Sequence, residues 1–150
     1  MAKDLRSEYN TCLYHSSSSL HRRLERMADE HFKQVELSPT QGFILITLKK
    51  APGITITDLA MVHQLDPSTI TRMLDKLQDK GLVQRENFGR ITRVFATEKG
   101  RRKEADAKAA WKKLRFDYGQ ILGTEEVDHL SDRVTSAIEK LRLNIERKDQ

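Results

Sequence analysis

Asp66-Pro67-Ser68-Thr69-Ile70-Thr71-Arg72-Met73-Leu74-Asp75-Lys76-Leu77, followed shortly by Lys80-Gly81-Leu82-Val83-Gln84-Arg85, is the stretch on which the fold turns. Asp66 stands where a capping side chain is wanted, Pro67 suits the first helical position, and Ile70, Met73, Leu74 and Leu77 form one apolar stripe. Lys80-Gly81 closes that helix. Only Gln64 and Leu65 separate it from a shorter helix that Thr57-Asp58 can open and that runs to Val62 or His63, the tight spacing of a helix-turn-helix. Beyond Gly81 the period changes. Leu82 to Glu86 and Ile91 to Ala96 are short and rich in β-branched residues, so they read as a hairpin. Asn87, Phe88, Gly89 and Arg90 lie between them, which predicts a connection longer than the two-residue kind.

Outward from this centre the signals are those of helices. Ser38-Pro39-Thr40-Gln41 is a capping box with proline at the first helical position, and it opens a helix that runs to about Lys50. Pro52-Gly53 breaks that helix, and Ile54-Thr55-Ile56 has room for one small strand. Before it, Leu5, Tyr9, Cys12, Leu13, Leu20, Leu24 and Met27 recur at helical spacing and predict a long first helix with a polar patch at Ser16 to Ser19. After the hairpin, Thr97-Glu98 begins a long polar helix to about Leu122. Gly123-Thr124-Glu125-Glu126 then supplies a glycine stop, a cap and an acidic first turn for the last helix. Its stripe, Val127, Leu130, Val134, Ile138, Leu141 and Ile145, is continuous. Terminal helices with such stripes cannot bury every apolar face on a small central unit, so the first, fifth and sixth helices are expected to associate with those of a second chain. The alternative is a monomer with these helices folded back.

Composition narrows the function classes. The chain has 150 residues, 37% hydrophobic and 33% charged, with seven Gly and three Pro, which excludes collagen, a disulfide scaffold and a low-complexity polymer. Phe43-Ile44-Leu45-Ile46 is far short of the ~20 apolar residues of a membrane span. Residues 1–10 carry charges of both signs and lead into no apolar segment, so no secretory signal is expected and the cytoplasm is the expected location. The one cysteine suits a reducing compartment. The net charge of +5 is uneven: residues 66–103 carry 10 Lys/Arg against 5 Asp/Glu, while the segments on either side are nearly balanced. A local basic excess is the usual footprint of a phosphate-binding surface.

The order helix, helix, strand, helix, helix, hairpin, long helix, helix resembles the MarR family of transcriptional regulators. The resemblance covers essentially the whole chain. It is carried by Ile56-Thr57-Asp58-Leu59-Ala60, by the stretch from Asp66 to Leu77, by Lys80 to Arg85, and by Thr97-Glu98-Lys99-Gly100 after the hairpin. It implies a mainly α fold with a small β wing, a winged helix-turn-helix with N- and C-terminal dimerisation helices. Residues 1–150 would form a single domain, with 34–103 as the DNA-binding lobe and 1–33 and 104–150 as the helical dimerisation region. The implied function is that of a dimeric, sequence-specific repressor that binds a pseudo-palindromic operator in double-stranded DNA and is released by a small-molecule or oxidative signal. An architectural or protein-interaction winged-helix module without effector control is the alternative. No cofactor is required; a small phenolic or amphipathic effector is implied, and Trp111, Phe116 and Tyr118 would either line its cavity or belong to the dimer core. One departure stands out. Family wings usually carry Asp-x-Arg at the tip, and here Phe88-Gly89-Arg90 occupies those positions, so Arg90 lacks the orienting aspartate.

Residue by residue, with Ile70, Leu74 and Leu77 inward, Ser68, Thr69, Thr71, Arg72, Asp75 and Lys76 turn outward. Short hydroxyls approach phosphates and base edges, and an arginine can bridge guanine O6 and N7. On an isolated helix this would be an ordinary solvated face; the adjoining hairpin decides for DNA. The expected DNA-binding residues are Ser68, Thr69, Thr71, Arg72, Lys76, Arg90 and Arg93. Arg85 is expected either to join them or to form a cross-strand pair with Glu86. Lys99, Arg101, Arg102 and Lys103 either extend the positive surface or are merely solvated. Cys12 reads first as a small buried hydrophobe. The sharper reading is a redox sensor, because one branch of the family carries a reactive cysteine near the start of its first helix, close to tyrosines, and Tyr9 and Tyr14 flank this one. The histidines show no i, i+4 pairing, so no metal site is expected. With no phosphate-cradling glycine loop and no nucleophile elbow, the chain is not expected to be an enzyme.

Overall fold

A computed structural model describes residues 7–148, with side chains through residue 145. Leu5, the first member of the predicted N-terminal stripe, lies outside the described residues. The order is α1 (Leu13–Lys33), α2 (Pro39–Lys50), β1 (Ile54–Thr55), α3 (Ile56–His63), α4 (Pro67–Asp79), β2 (Val83–Phe88), β3 (Ile91–Ala96), α5 (Glu98–Leu122) and α6 (Thr124–Lys148). This is the mainly helical chain with a small β wing that the sequence predicts. The chain divides into two compact units, one ending at Lys112 and one beginning at Lys113.

In the first unit the ends of the elements follow the cap chemistry. The Ser38 hydroxyl accepts from the Gln41 N–H at 3.3 Å and the Gln41 side chain accepts from the Ser38 N–H at 3.0 Å, a complete capping box. After α1 the chain closes through Leu37 N–H to Phe32 O at 3.1 Å and Glu36 N–H to Lys33 O at 3.0 Å, with Glu36 in the left-handed region at φ 57°. Both bonds satisfy carbonyls that the helix end leaves open. Thr55 caps α3, accepting from the Asp58 N–H at 3.1 Å, so this helix starts one residue before the predicted Thr57. Asp66 occupies the N-cap of α4, but its side chain makes no cap bond, so Pro67 and the extended Asp66 backbone set the start there.

The first helix differs from expectation. It begins at Leu13 rather than Leu5 and runs on to Lys33, six residues beyond the predicted Met27. Cys12 is its N-cap residue and is exposed, which corrects the expectation of a buried thiol: the stripe buries only from Ala28 and Phe32 onward, where α1 meets other elements. The core of the unit is built by the fully buried Phe32, Ile44, Leu45, Leu48, Leu59, Ile70, Leu74, Leu77 and Val94. Helix α2 is its centre, buried on several sides, and Phe32 packs so closely on Gly42 that a side chain at that position would meet the ring. Glu104, almost fully buried on α5, receives Lys49 Nζ at 2.7 Å, which satisfies a carboxylate that burial would otherwise penalise.

The sheet is antiparallel in the order β1-β3-β2. β1 pairs through Ile54 opposite Val94 and Thr55 opposite Arg93, and β2 pairs from Val83 opposite Ala96 to Phe88 opposite Ile91. Only Gly89 and Arg90 remain to connect them. Gly89 alone takes a positive φ, 63°, so the connection is a tight two-residue turn of the type that needs glycine first. This corrects the longer predicted loop: Asn87 and Phe88 are strand residues, paired with Thr92 and Ile91, and Thr92 Oγ1 donates to Asn87 Oδ1 at 2.9 Å.

In the second unit, Gly123 at φ 89° separates the end of α5 from α6, and Arg115 pairs with Asp128 at 2.8 Å. Val127 is buried, whereas Val134, Ile138, Leu141 and Ile145 remain 45%, 38%, 60% and 61% exposed, so most of the α6 stripe is uncovered in the single chain.

Candidate nucleic-acid interface

Helix α4 buries Ile70, Leu74 and Leu77 and turns its other side to solvent. On that side Ser68, Arg72 and Lys76 are exposed, and Thr69 and Thr71 are half-buried. Two of the hydroxyls are locally engaged: Thr71 Oγ1 donates to Pro67 O at 2.9 Å, and Thr69 Oγ1 accepts from Arg72 Nη2 at 3.4 Å. The second contact lays the guanidinium back along the helix toward its N-terminus. Ser68 and Lys76 make no hydrogen bond or ion pair among the described residues.

The hairpin is held to this helix by one side chain. Arg85 on β2 donates from Nη2 to Asp75 Oδ1 at 2.7 Å and from Nε to Gln78 Oε1 at 2.8 Å. The partner is therefore on α4, not the neighbouring Glu86, which faces Arg93 across the strands. The reason is strand alternation: Arg85 shares a face with Val83 and points toward the helix, while Glu86 points the other way. Asp75, placed with the outward residues by periodicity, is thus committed to the wing. Arg93 is also engaged, donating from Nη1 to Gly53 O at 2.9 Å and tying β3 to the turn before β1. Arg90, at the turn, is exposed and makes no hydrogen bond or ion pair among the described residues.

The cations after the hairpin have partners as well. Thr97 accepts from the Gly100 N–H at 3.0 Å and donates to Gly81 O at 2.7 Å, fastening the start of α5 to the end of α4. Lys99 Nζ donates to Lys80 O at 2.9 Å, and Lys103 lies 3.7 Å from Asp106. Arg101 and Arg102 pair with Glu98 at 2.9 and 3.5 Å. The Arg101 hydrogen bond, then the charges of Arg101 and Arg102, hold the Glu98 carboxyl below its usual range. Lys99 and Arg101, the latter also donating to Ala96 O at 3.1 Å, staple the base of the wing, while Arg102 pairs within α5; Arg72, Lys76 and Arg90 are then the cations of α4 and the turn open to an anionic partner.

His63 at the end of α3 meets Thr47 Oγ1 at 3.2 Å, and burial lowers its pKa from the ordinary imidazole value. Trp111, half-buried, packs edge-on against the half-buried Phe43 with ring centroids 5.8 Å apart, and Phe43 lies 5.6 Å from the buried Phe32, which places the tryptophan at the edge of the core of the first unit. Phe116 is 63% exposed, and Tyr118 is half-buried. Among the described residues Cys12 makes only backbone hydrogen bonds, from its N–H to Tyr9 O at 3.0 Å and from the Ser16 N–H to its carbonyl at 2.9 Å. Because no contact among the described residues couples the thiol to α4 or the wing, peroxide is expected to leave DNA binding unchanged in both the wild type and Cys12→Ser. A peroxide-induced release from DNA that disappears in Cys12→Ser, measured by fluorescence anisotropy, would make the cysteine a sensor.

A short helix, a tight turn, a second helix with a polar, positively charged outer face, and a two-stranded ribbon clamped beside it together define a winged helix-turn-helix. The comparisons agree. Residues 37–87 match the model of the MarR family. The chain is 26% identical over 130 residues to the HTH-type transcriptional repressor MdtR of Bacillus subtilis (strain 168), spanning 83% of this chain and 84% of that protein. Among solved structures it is similar to CouR from Rhodococcus jostii RHA1 bound to p-coumaroyl-CoA, with a TM-score of 0.71, 26% identity, and coverage of 80% of this chain and 86% of that one. It also shares the fold of a transcriptional repressor CouR bound to a 23-mer DNA duplex, with a TM-score of 0.79, 24% identity, and coverage of 87% and 95%. Residues 37–87 thus match the MarR family, and over most of its length the chain is similar to solved regulators of that family. Its relatives are regulators rather than enzymes, as the sequence led us to expect. Among the described residues no helix is long and apolar enough to cross a membrane.

The sequence pointed to α4 and Arg90 but missed the Arg85–Asp75 clamp and the apolar flanks of the turn. Two residues between Phe88 and Ile91 was the available signal, and it was obscured by ending the first strand at Glu86.

Proposed function

We propose that this chain is a dimeric, sequence-specific repressor that reads double-stranded DNA through α4 of each copy. The single observation that carries this is the outer face of α4, where Ser68, Thr69, Arg72 and Lys76 meet solvent beside a wing that Arg85 holds in a fixed relation to the helix. A major groove admits one helix, and short polar side chains near its N-terminus let the backbone come close to base edges. Two copies would place two such helices on successive major grooves about 34–36 Å apart, so the operator would be an inverted repeat. Residues 34–103 are the DNA-binding lobe in this reading, and residues 1–33 and 104–150 pair with a second copy. The uncovered stripe of α6 supports that pairing.

Release by a small molecule is the second part of the proposal. MdtR is named a repressor, and CouR is seen both with p-coumaroyl-CoA and on a DNA duplex. A ligand that rotates the two lobes by a small angle would spoil the half-site spacing without touching α4. The effector is a small phenolic or amphipathic compound, and the cytoplasm is the compartment in which such a regulator would act.

Selection of bound duplexes from a random pool tests the reading: an inverted repeat is expected, and recovery of no shared sequence would favour an architectural module instead. On that operator Arg72→Ala should lose discrimination, since a bidentate base contact is worth ~1–3 kcal/mol between right and wrong bases. Arg90→Ala should weaken operator and random duplexes alike and lower the salt slope by about one ion per subunit. If Arg72→Ala kept the operator preference while Arg90→Ala erased it, the two roles would be reversed.

A further inference from the structure

The tip of the wing has the wrong polarity for a hairpin that only meets water. Along the hairpin, Val83, Arg85 and Asn87 of β2 with Ala96, Val94 and Thr92 of β3 form the face turned to the helices, and Gln84, Glu86 and Phe88 with Phe95, Arg93 and Ile91 form the other. At the tip the helix-facing pair is the polar Asn87–Thr92, while the outward pair is Phe88–Ile91, with 55% and 51% of each residue exposed. Solvation alone sets the reverse pattern. Between them stand Gly89 and the exposed Arg90.

We propose that Phe88, supported by Ile91, is a wedge that enters the minor groove beside the recognition helix and partly unstacks one base step. The inference rests on the DNA-binding reading of α4 and adds a chemistry that reading does not contain. Four observations point to DNA as the occupant rather than a protein groove. The clamp from Arg85 to Asp75 and Gln78 makes the wing continuous with the outer face of α4. From Arg85 to Gly89 the strand advances about 13 Å, enough to cross a phosphate backbone from the groove that α4 would occupy. Arg90 places a cation next to the apolar pair, and a minor groove combines negative potential with base edges at its floor, between which an apolar side chain can wedge against the base faces. A groove ~6 Å wide admits a tight turn but not a broad loop, and the two-residue connection is the narrowest a hairpin can make. Glu86, the next residue on the same face, accepts from Gln84 Nε2 at 3.2 Å, back along the strand and away from the tip. Apolar wedges of this kind kink a duplex, and flexible TA or CA/TG steps yield to them most readily.

The test uses the full-length protein and the duplex it selects from a random pool, with 2-aminopurine placed in turn at each step outside the two major-groove half-sites. Wild type is expected to raise the fluorescence at one step on each side, and Phe88→Ala to abolish that rise. Phe88→Ala should also bind about tenfold more weakly, the scale on which base–aromatic stacking is lost on alanine substitution. Its salt slope should match the wild type, because no ion contact is removed, and Phe88→Leu should restore most of the affinity. Since Phe88 is more than half exposed, its replacement does not threaten the core. Unchanged affinity and unchanged fluorescence in Phe88→Ala would overturn the wedge while leaving the α4 reading intact. A loss of affinity accompanied by a smaller salt slope would overturn it too, in favour of a charge effect. If wild type selected no duplex, the DNA-binding reading would fail, and the wedge with it.

Discussion

Cutting the chain after Gly123 should convert it to monomers or aggregate and reduce operator affinity by roughly two orders of magnitude or more, the scale on which joining two binding modules raises affinity. The cut removes α6, Thr124–Lys148, and with it Val134, Ile138, Leu141 and Ile145, all left exposed in the single chain. Four large apolar side chains at helical spacing on a solvent face are costly unless a partner covers them, and the matching helix of a second copy is the simplest cover. Sedimentation velocity on the truncated and full chains decides the matter. The lobe itself should survive the cut, because its largest fully buried side chains lie between Phe32 and Val94 and the buried Ala107 also precedes the cut. Weak, sequence-dependent binding of a monomer to one half-site is therefore the expected residue of function. A truncated chain that sedimented as a soluble dimer would remove α6 from the interface.

The other large effect concerns one glycine. Gly100 lies in the first turn of α5, where any side chain would run into the carbonyl of Leu82, the residue that opens the wing. That neighbour is backbone, pinned by the Thr97 N–H at 3.0 Å and unable to swing aside. Gly100→Ala should therefore push α5 off the hairpin and cost roughly 3 kcal/mol, the upper range for overpacking. In a chain of this length that corresponds to a Tm about 10 °C lower. The control lies in the same helix. At Gly119 a Cβ would meet only Thr124 Oγ1, at 3.7 Å, an ordinary contact. Gly119→Ala should be neutral or stabilising by up to about 1 kcal/mol, because alanine loses less backbone freedom on entering a helix. Thermal melts of the two variants should thus move in opposite directions, and a Gly100→Ala melt equal to wild type would show that α5 and the wing are not locked together there.

Much of the fold was legible in the sequence because its signals are local. The capping box at Ser38–Gln41, the prolines at positions 39 and 67, and the glycines at 81 and 123 each act on backbone groups within a few residues, so they mark element ends without knowledge of the rest of the chain. The stripe Ile70, Leu74 and Leu77 is likewise a property of one helix, and it alone determined which face of α4 meets solvent. The same locality explains the failures. Periodicity joined Leu5 to Met27 in one predicted helix, although what makes the stripe buried is a neighbour, and only Ala28 and Phe32 of α1 acquire full burial.

Tertiary structure decided what depends on residues far apart in the chain. Sequence order could offer Arg85 only the adjacent Glu86, but strand alternation aimed it at Asp75 and Gln78, seven to ten residues upstream and on another element. The cations from Lys99 to Lys103 looked alike as letters, yet Lys99 and Arg101 became staples because the start of α5 is folded against Lys80 and Ala96, while Arg102 pairs with Glu98 on its own helix. The hairpin turn shortened to Gly89-Arg90 once Phe88 was set opposite Ile91, and this pairing put an apolar tip on the wing. The sequence alone thus determined the order of the elements, the ends that carry local caps, and the face of α4 that meets solvent, through interactions spanning one helical turn. Which side chains remained open to a partner was settled by the tertiary structure, because a charge or an aromatic ring is spent or spared by neighbours that only folding brings within reach.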